Sequence, residues 1–129
     1  MIADTSLIID LLRGEENSIE KLKQLEDENK AYSLATPTIY ELWIGISRAK
    51  ISEKEKLLDI IESQTIHSLD KESTINAGKI QRELIEKGER IGHINALIAG
   101  IAQKNTGKIL TDNTSEFQRV DKLDTIDYK

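Results

Sequence analysis

The sequence predicts an α/β fold of three layers, α/β/α, with a central parallel sheet of about five short strands. Short apolar runs alternate with stretches of helical periodicity along the chain, which is how parallel strands joined by crossover helices read. Composition agrees: charged residues make up 32% of 129, while one proline and seven glycines leave little chain for linkers or low complexity. No internal repeat or boundary interrupts it, so residues 1–129 are expected to form one domain, and a domain of this size buries roughly two thirds of its unfolded surface.

Met1 to Ala3 is a short apolar strand that stops at Asp4. Leu7, Ile8, Leu11 and Leu12 then repeat with helical spacing up to Gly14, and Ile19, Leu22 and Leu25 mark a second amphipathic helix. Ala31 to Ala35 reads as a strand ending at Thr36-Pro37, with threonine the expected N-cap and proline the first helical position. The helix that follows places Ile39, Leu42, Trp43 and Ile46 on one face, with Glu41 in its second turn. Ser52 to Glu55 has the pattern of a capping box opening a helix through Ile61, and Thr65 to Leu69 is a short strand. Asp70 caps a helix bearing Ile75, Ile80, Leu84 and Ile85, which closes at Gly88. Ile94, Leu97, Ile98, Ile101 and Ala102 form another stripe, with Asn95 in its first turn. Lys108 to Leu110 is a strand running into Thr111-Asp112-Asn113, a short turn of helix carries Glu116 and Phe117, and Leu123 to Tyr128 is a last edge strand.

Several functions are excluded. Without cysteine there are no disulfides, thiolate nucleophiles or zinc-thiolate sites, and His67 and His93 alone cannot make a histidine-rich metal centre. No stretch approaches the roughly 20 apolar residues of a membrane span, and the N-terminus lacks the pattern of a signal peptide, so a cytoplasmic protein is expected. The net charge of −5 argues against broad nonspecific nucleic-acid binding but permits a local basic groove.

Right-handed crossovers bring the C-terminal ends of parallel strands to one edge, where ligands bind. Asp4, Glu41 and the segment Thr111 to Glu116 all fall at such ends. Crowded carboxylates repel unless a cation neutralises them, so their convergence points to metal-assisted chemistry with hard oxygen ligands. The bland alternative is that Asp4 and Asn113 cap helices and Glu41 is a solvated charge. Aspartyl-phosphate chemistry fits poorly, because Ser6 stands where a second aspartate is wanted.

Local sequence narrows this. Ile2-Ala3-Asp4-Thr5-Ser6, Tyr40-Glu41-Leu42 with Gly45, Ile91-Gly92-His93-Ile94-Asn95-Ala96-Leu97-Ile98-Ala99, and Thr111-Asp112-Asn113 followed by Glu116-Phe117 occur in an order and spacing that resembles the PIN domain. Within that family the chain looks like the VapC-type toxins of prokaryotic toxin-antitoxin pairs. The resemblance implies a Mg²⁺- or Mn²⁺-dependent endoribonuclease, homodimeric, and held inactive by a VapB-like antitoxin. By motif, Asp4, Glu41, Asn95, Asn113 and Glu116 match the family's catalytic positions, and Ser6 and Thr111 its supporting hydroxyls. Asp4 and Asn95 would hold the metal, with Glu41 and Asn113 joining through water.

Asn95 departs from the family pattern, which carries aspartate there. An amide oxygen still coordinates but removes one negative charge from a hard-ion site. Drift or deliberate inactivation would leave the same mark, and a noncatalytic PIN-fold binding module is the alternative reading. Elsewhere, His93 is expected at a helix entry. Trp43 and Phe117 offer faces for base stacking, although Trp43 fits core or dimer packing better. Arg13, Arg48, Lys50, Arg82, Lys87 and Arg90 are candidates for an RNA path, each more readily a solvated charge. The apolar surface of Leu11, Leu12, Ile19, Leu22, Trp43 and Ile46 suits a groove for an antitoxin helix.

Overall fold

A computed structural model gives the fold and describes residues 1–46 and 51–129. The elements in order are β1 (Ile2–Ala3), α1 (Thr5–Leu12), α2 (Glu16–Asp27), β2 (Leu34–Ala35), α3 (Thr36–Ile46), α4 (Ile51–Ser63), β3 (Ile66–His67), α5 (Lys71–Glu86), α6 (His93–Asn105), β4 (Lys108–Thr111), α7 (Thr114–Phe117) and β5 (Asp124–Asp127). Every strand pairing among the described residues is parallel. β1 pairs with β4 and β4 with β5, β2 pairs with β3, and an isolated bridge from Ile2 to Ser33 joins the two groups. The order across the sheet is therefore β3-β2-β1-β4-β5.

The two-residue alternation of a strand sorts the core. Ile2 and its register partner Ile109 enter one apolar cluster, Ala3 and Leu110 the other. The first is closed by Ile80, Leu84, Ile98, Ile101 and Phe117 from α5, α6 and α7; the second by Leu7, Ile8, Leu25, Leu42 and Leu57 from α1 to α4. Two cores on opposite faces of one sheet make the three layers. α6 comes close to α5 at Gly100, where a Cβ would lie 2.7 Å from both the Ala77 Cβ and the Ser73 carbonyl oxygen. Only glycine lets α6 approach α5 so closely.

Five sequence expectations need correction. Thr36 is the first residue of α3 and not its cap; its hydroxyl accepts from the Leu69 N–H at 3.0 Å, tying α3 to the segment after β3. Ser52 does not cap α4, because the helix already includes Ile51. Trp43 is 42% exposed: the buried stripe of α3 runs through Thr38, Leu42 and Ile46, one residue out of step with it. Ile75 and Ile85 stand at 50% and 45% exposure, because Ser73, Ala77, Ile80, Gln81 and Leu84 form the inward face of α5. Phe117 is fully buried and offers no stacking face, whereas Asp70 caps α5 as expected, in a reciprocal box with Ser73. Arg48 and Lys50 lie outside the described residues.

Candidate active site

Register places the first acid. Ala3 pairs with Leu110, and the next positions, Asp4 and Thr111, fall side by side where β1 and β4 end. The Asp4 N–H donates to the Leu110 carbonyl at 2.9 Å and extends the ladder by one bond. The Asp4 carboxylate, only 4% exposed, accepts from the Thr111 hydroxyl at 2.8 Å, the Thr5 N–H at 2.8 Å and the Ser6 hydroxyl at 3.2 Å. Asp4 is thus both the N-cap of α1 and the most buried acid of the site. Three donors leave it lone pairs to spare. Burial pushes its pKa above the usual carboxylate range; the three hydrogen bonds pull the other way, and the nearby Glu41 charge adds to the rise.

Glu41 comes from the second turn of α3. Its Oε1 accepts from the Thr5 hydroxyl at 2.6 Å, and that hydroxyl also meets the fully buried Thr38 hydroxyl at 3.3 Å. Thr5 therefore links the two acids, Asp4 through its backbone and Glu41 through its side chain.

Glu116 gathers a second set. Its Oε1 accepts from the Gly92 N–H at 2.7 Å, and its Oε2 from the amides of Asn113 at 2.6 Å and Asn95 at 3.2 Å. Partial burial would raise the Glu116 pKa, but the bonds from Asn113, Gly92 and Asn95, with the charge of Arg119, outweigh it and hold the carboxyl below its ordinary range. Thr111 joins the two sets, since its hydroxyl donates to Asp4 and accepts from the Asn113 N–H at 2.9 Å. All seven sequence-selected residues, Asp4, Ser6, Glu41, Asn95, Thr111, Asn113 and Glu116, thus lie in one linked network. Among the described residues, however, no three acids or histidines sit close enough to hold a metal ion by themselves. Position 95 carries an uncharged amide, which donates to Glu116.

Sequence reasoning did not single out Thr5 as the joint between Asp4 and Glu41, although its place beside Asp4 was a signal. It also missed Gln81, whose buried amide donates to the Ile91 carbonyl at 2.6 Å and accepts from the Ile91 N–H at 3.2 Å. This clamp fixes the backbone just before Gly92, and nothing local in the sequence announces it. Tyr128 is a third: its hydroxyl donates to Asp10 at 2.6 Å, and burial, then that bond, drive its pKa far above the usual value. Lys129 bridges Asp10 and Asp112 beside it. His93, the first residue of α6, is exposed.

The site is chemically uniform, with carboxylate, amide and hydroxyl oxygens and no sulfur. Among the described residues no helix is long and apolar enough to cross a membrane.

Comparison with known proteins extends the geometry. The Ribonuclease VapC2 of Rickettsia felis is 28% identical over 122 residues, covering 93% of this chain and 91% of that protein. The tRNA(fMet)-specific endonuclease VapC of Shigella flexneri is 28% identical over 129 residues, covering 97% and 95%. Among solved structures, the VapBC2 of Rickettsia felis bound to a DNA fragment from its promoter superposes with a TM-score of 0.83 at 25% identity, covering 99% of this chain and 98% of that one. The PIN domain model matches residues 1–123, and with acids set at the edge of a parallel sheet between two helical layers, the chain belongs to the PIN domain family.

Proposed function

We propose that this chain is a VapC-type endoribonuclease toxin that uses Mg²⁺ or Mn²⁺, pairs as a homodimer and is restrained by a VapB-like antitoxin. The observation that carries the reading is the buried Asp4 carboxylate, held by three donors within one residue of Glu41's own partner, Thr5. The relatives named as a ribonuclease and a tRNA endonuclease support the reaction, and the solved VapBC complex supports the partner.

The donor set fits a hard cation: it is all oxygen, and burial with a like charge nearby leaves Asp4 short of positive charge. Asp4 and the Asn95 amide oxygen would hold the ion directly, Glu41 and Asn113 through water. When bound, the metal lowers the pKa of a water and polarises the scissile phosphate. Ser6 and Thr111 fix the Asp4 carboxylate so that its remaining lone pairs keep one direction. Glu41, anchored by Thr5, orients the attacking water and accepts its proton. A second reading, a noncatalytic binding module, draws on the Asn95 amide bonded to Glu116.

The test is cleavage of an initiator tRNA with Mn²⁺ by the Asn95→Asp variant. We expect cleavage that disappears when Asp4→Ala is added. A folded Asn95→Asp chain that cuts no RNA at any Mn²⁺ concentration would overturn the nuclease reading in favour of the binding module.

A further inference from the structure

A cavity of about 330 Å³ lies between one face of α5 and the turn after α7. Lys79 and Lys87 line its α5 side, Arg119 and Lys122 the other. Glu83 and Asp121 also line it, yet among the described residues none of the four cations forms an ion pair. Arg119 instead donates Nη1 to the carbonyls of Glu89 and Arg90, at 3.4 and 3.0 Å. Four cations against two acids leave the lining with a formal charge of +2, in a chain whose net charge is −5. A net positive lining attracts a polyanion.

One lining residue, Arg119, links the cavity to the acidic site. Arg119 follows Glu116 by one helical turn, and its charge is felt at the Glu116 carboxyl. Lys79 and Lys87 are separated by about 12 Å along the α5 axis, further than one phosphate group reaches across. We propose that this cavity binds backbone phosphates of the RNA strand on one side of the cleavage point. The proposal rests on the nuclease reading and adds to it a subsite that grips the strand without reading its bases.

The test is the salt dependence of binding of a fluorescein-labelled single-stranded RNA, measured in EDTA so that no metal-assisted cleavage consumes the probe. Each phosphate deprived of its lysine makes the slope of log affinity against log salt shallower by about 0.7 for a single strand. The triple variant Lys79→Gln, Lys87→Gln, Lys122→Gln is expected to make the slope shallower by about 2. Lys23→Gln with Lys56→Gln, on α2 and α4, is expected to leave it unchanged, and circular dichroism checks that both variants fold. An unchanged slope in the triple variant overturns the proposal. So does a chain whose cavity lysines are needed for inorganic phosphate but not for RNA. Because the readout is binding, cleavage by Asn95→Asp with an indifferent triple variant removes the cavity alone. A triple variant with a shallower slope, beside an Asn95→Asp chain that never cleaves, removes the nuclease reading alone.

Discussion

Replacing Asn95 by aspartate makes the sharpest demand on this structure, because it acts on stability before it acts on catalysis. The Asn95 amide donates to Glu116 Oε2 at 3.2 Å. Aspartate removes that donor and sets a second carboxylate about as close. Two charges roughly 4 Å apart interact by about 4 kcal/mol at an effective dielectric of about 20. Glu116 is partly solvated, so about half of that is screened away, leaving about 2 kcal/mol. The missing hydrogen bond adds about 1 kcal/mol. With an unfolding entropy of about 2.1 cal/mol/K per residue, a cost of about 3 kcal/mol lowers Tm by about 10 °C in EDTA. A divalent cation between the carboxylates offsets the loss, and at about 100 times its Kd it returns about 2.7 kcal/mol, most of what the substitution costs. Thermal unfolding of both chains, in EDTA and across a Mn²⁺ series, reads this directly. An Asn95→Asp chain that melts within about 2 °C of its parent in EDTA, and does not respond to Mn²⁺, would refute the reasoning about the site's charge.

Three further outcomes follow from the same structure. Gly100→Ala drives a methyl to 2.7 Å from Ala77 and the Ser73 carbonyl, so α5 and α6 must separate; the expected loss is about 1–3 kcal/mol, read by urea unfolding. Asp4 has a folded pKa above its ordinary 3.8, so the native state binds more protons and its contribution to stability falls as pH rises through that window. Mn²⁺ needs the ionised carboxylate, so Mn²⁺ affinity in calorimetry is expected to rise over the same pH range, and an affinity that is flat there would count against Asp4 as a ligand. Asp70 is the opposite case: its pKa is lowered, first by Lys104 and then by the capping N–H and hydroxyl of Ser73, so its contribution is present above 3.8 and lost as pH falls. Asp70→Ala is expected to lower Tm at neutral pH, with the deficit shrinking in acid.

The fold was legible wherever two periodicities met. Residues 1–12 read as strand, acid and helix because the apolar period changes at Asp4, and the α6 stripe fixed the place of Asn95. Legibility failed where two helical faces were both apolar: Trp43 and Ile75 belong to stripes of the right period but the wrong phase, and phase is set by what packs opposite. At the site, the acids and amides were visible as residue types at strand ends. The donors that hold them were less so, because those bonds join residues far apart in sequence, from Thr5 to Glu41 across 36 positions and from Gln81 to Ile91 across 10. Of the donors, only the Ser6 and Thr111 hydroxyls were anticipated, and by motif alone.

The pairing of β1 with β4 also bears on how the protein is made. The hydroxyl of Thr111 that completes the surroundings of Asp4 is synthesised 107 residues after it. At about 5–20 residues per second, roughly 5 to 20 s of translation separate the two. Throughout that interval the first strand lacks its neighbour on one side, and the acids have no common edge on which to meet. Assembly of the site therefore waits for β4 to leave the ribosome, which sets a minimum delay between the making of the first acid and the first folded copy.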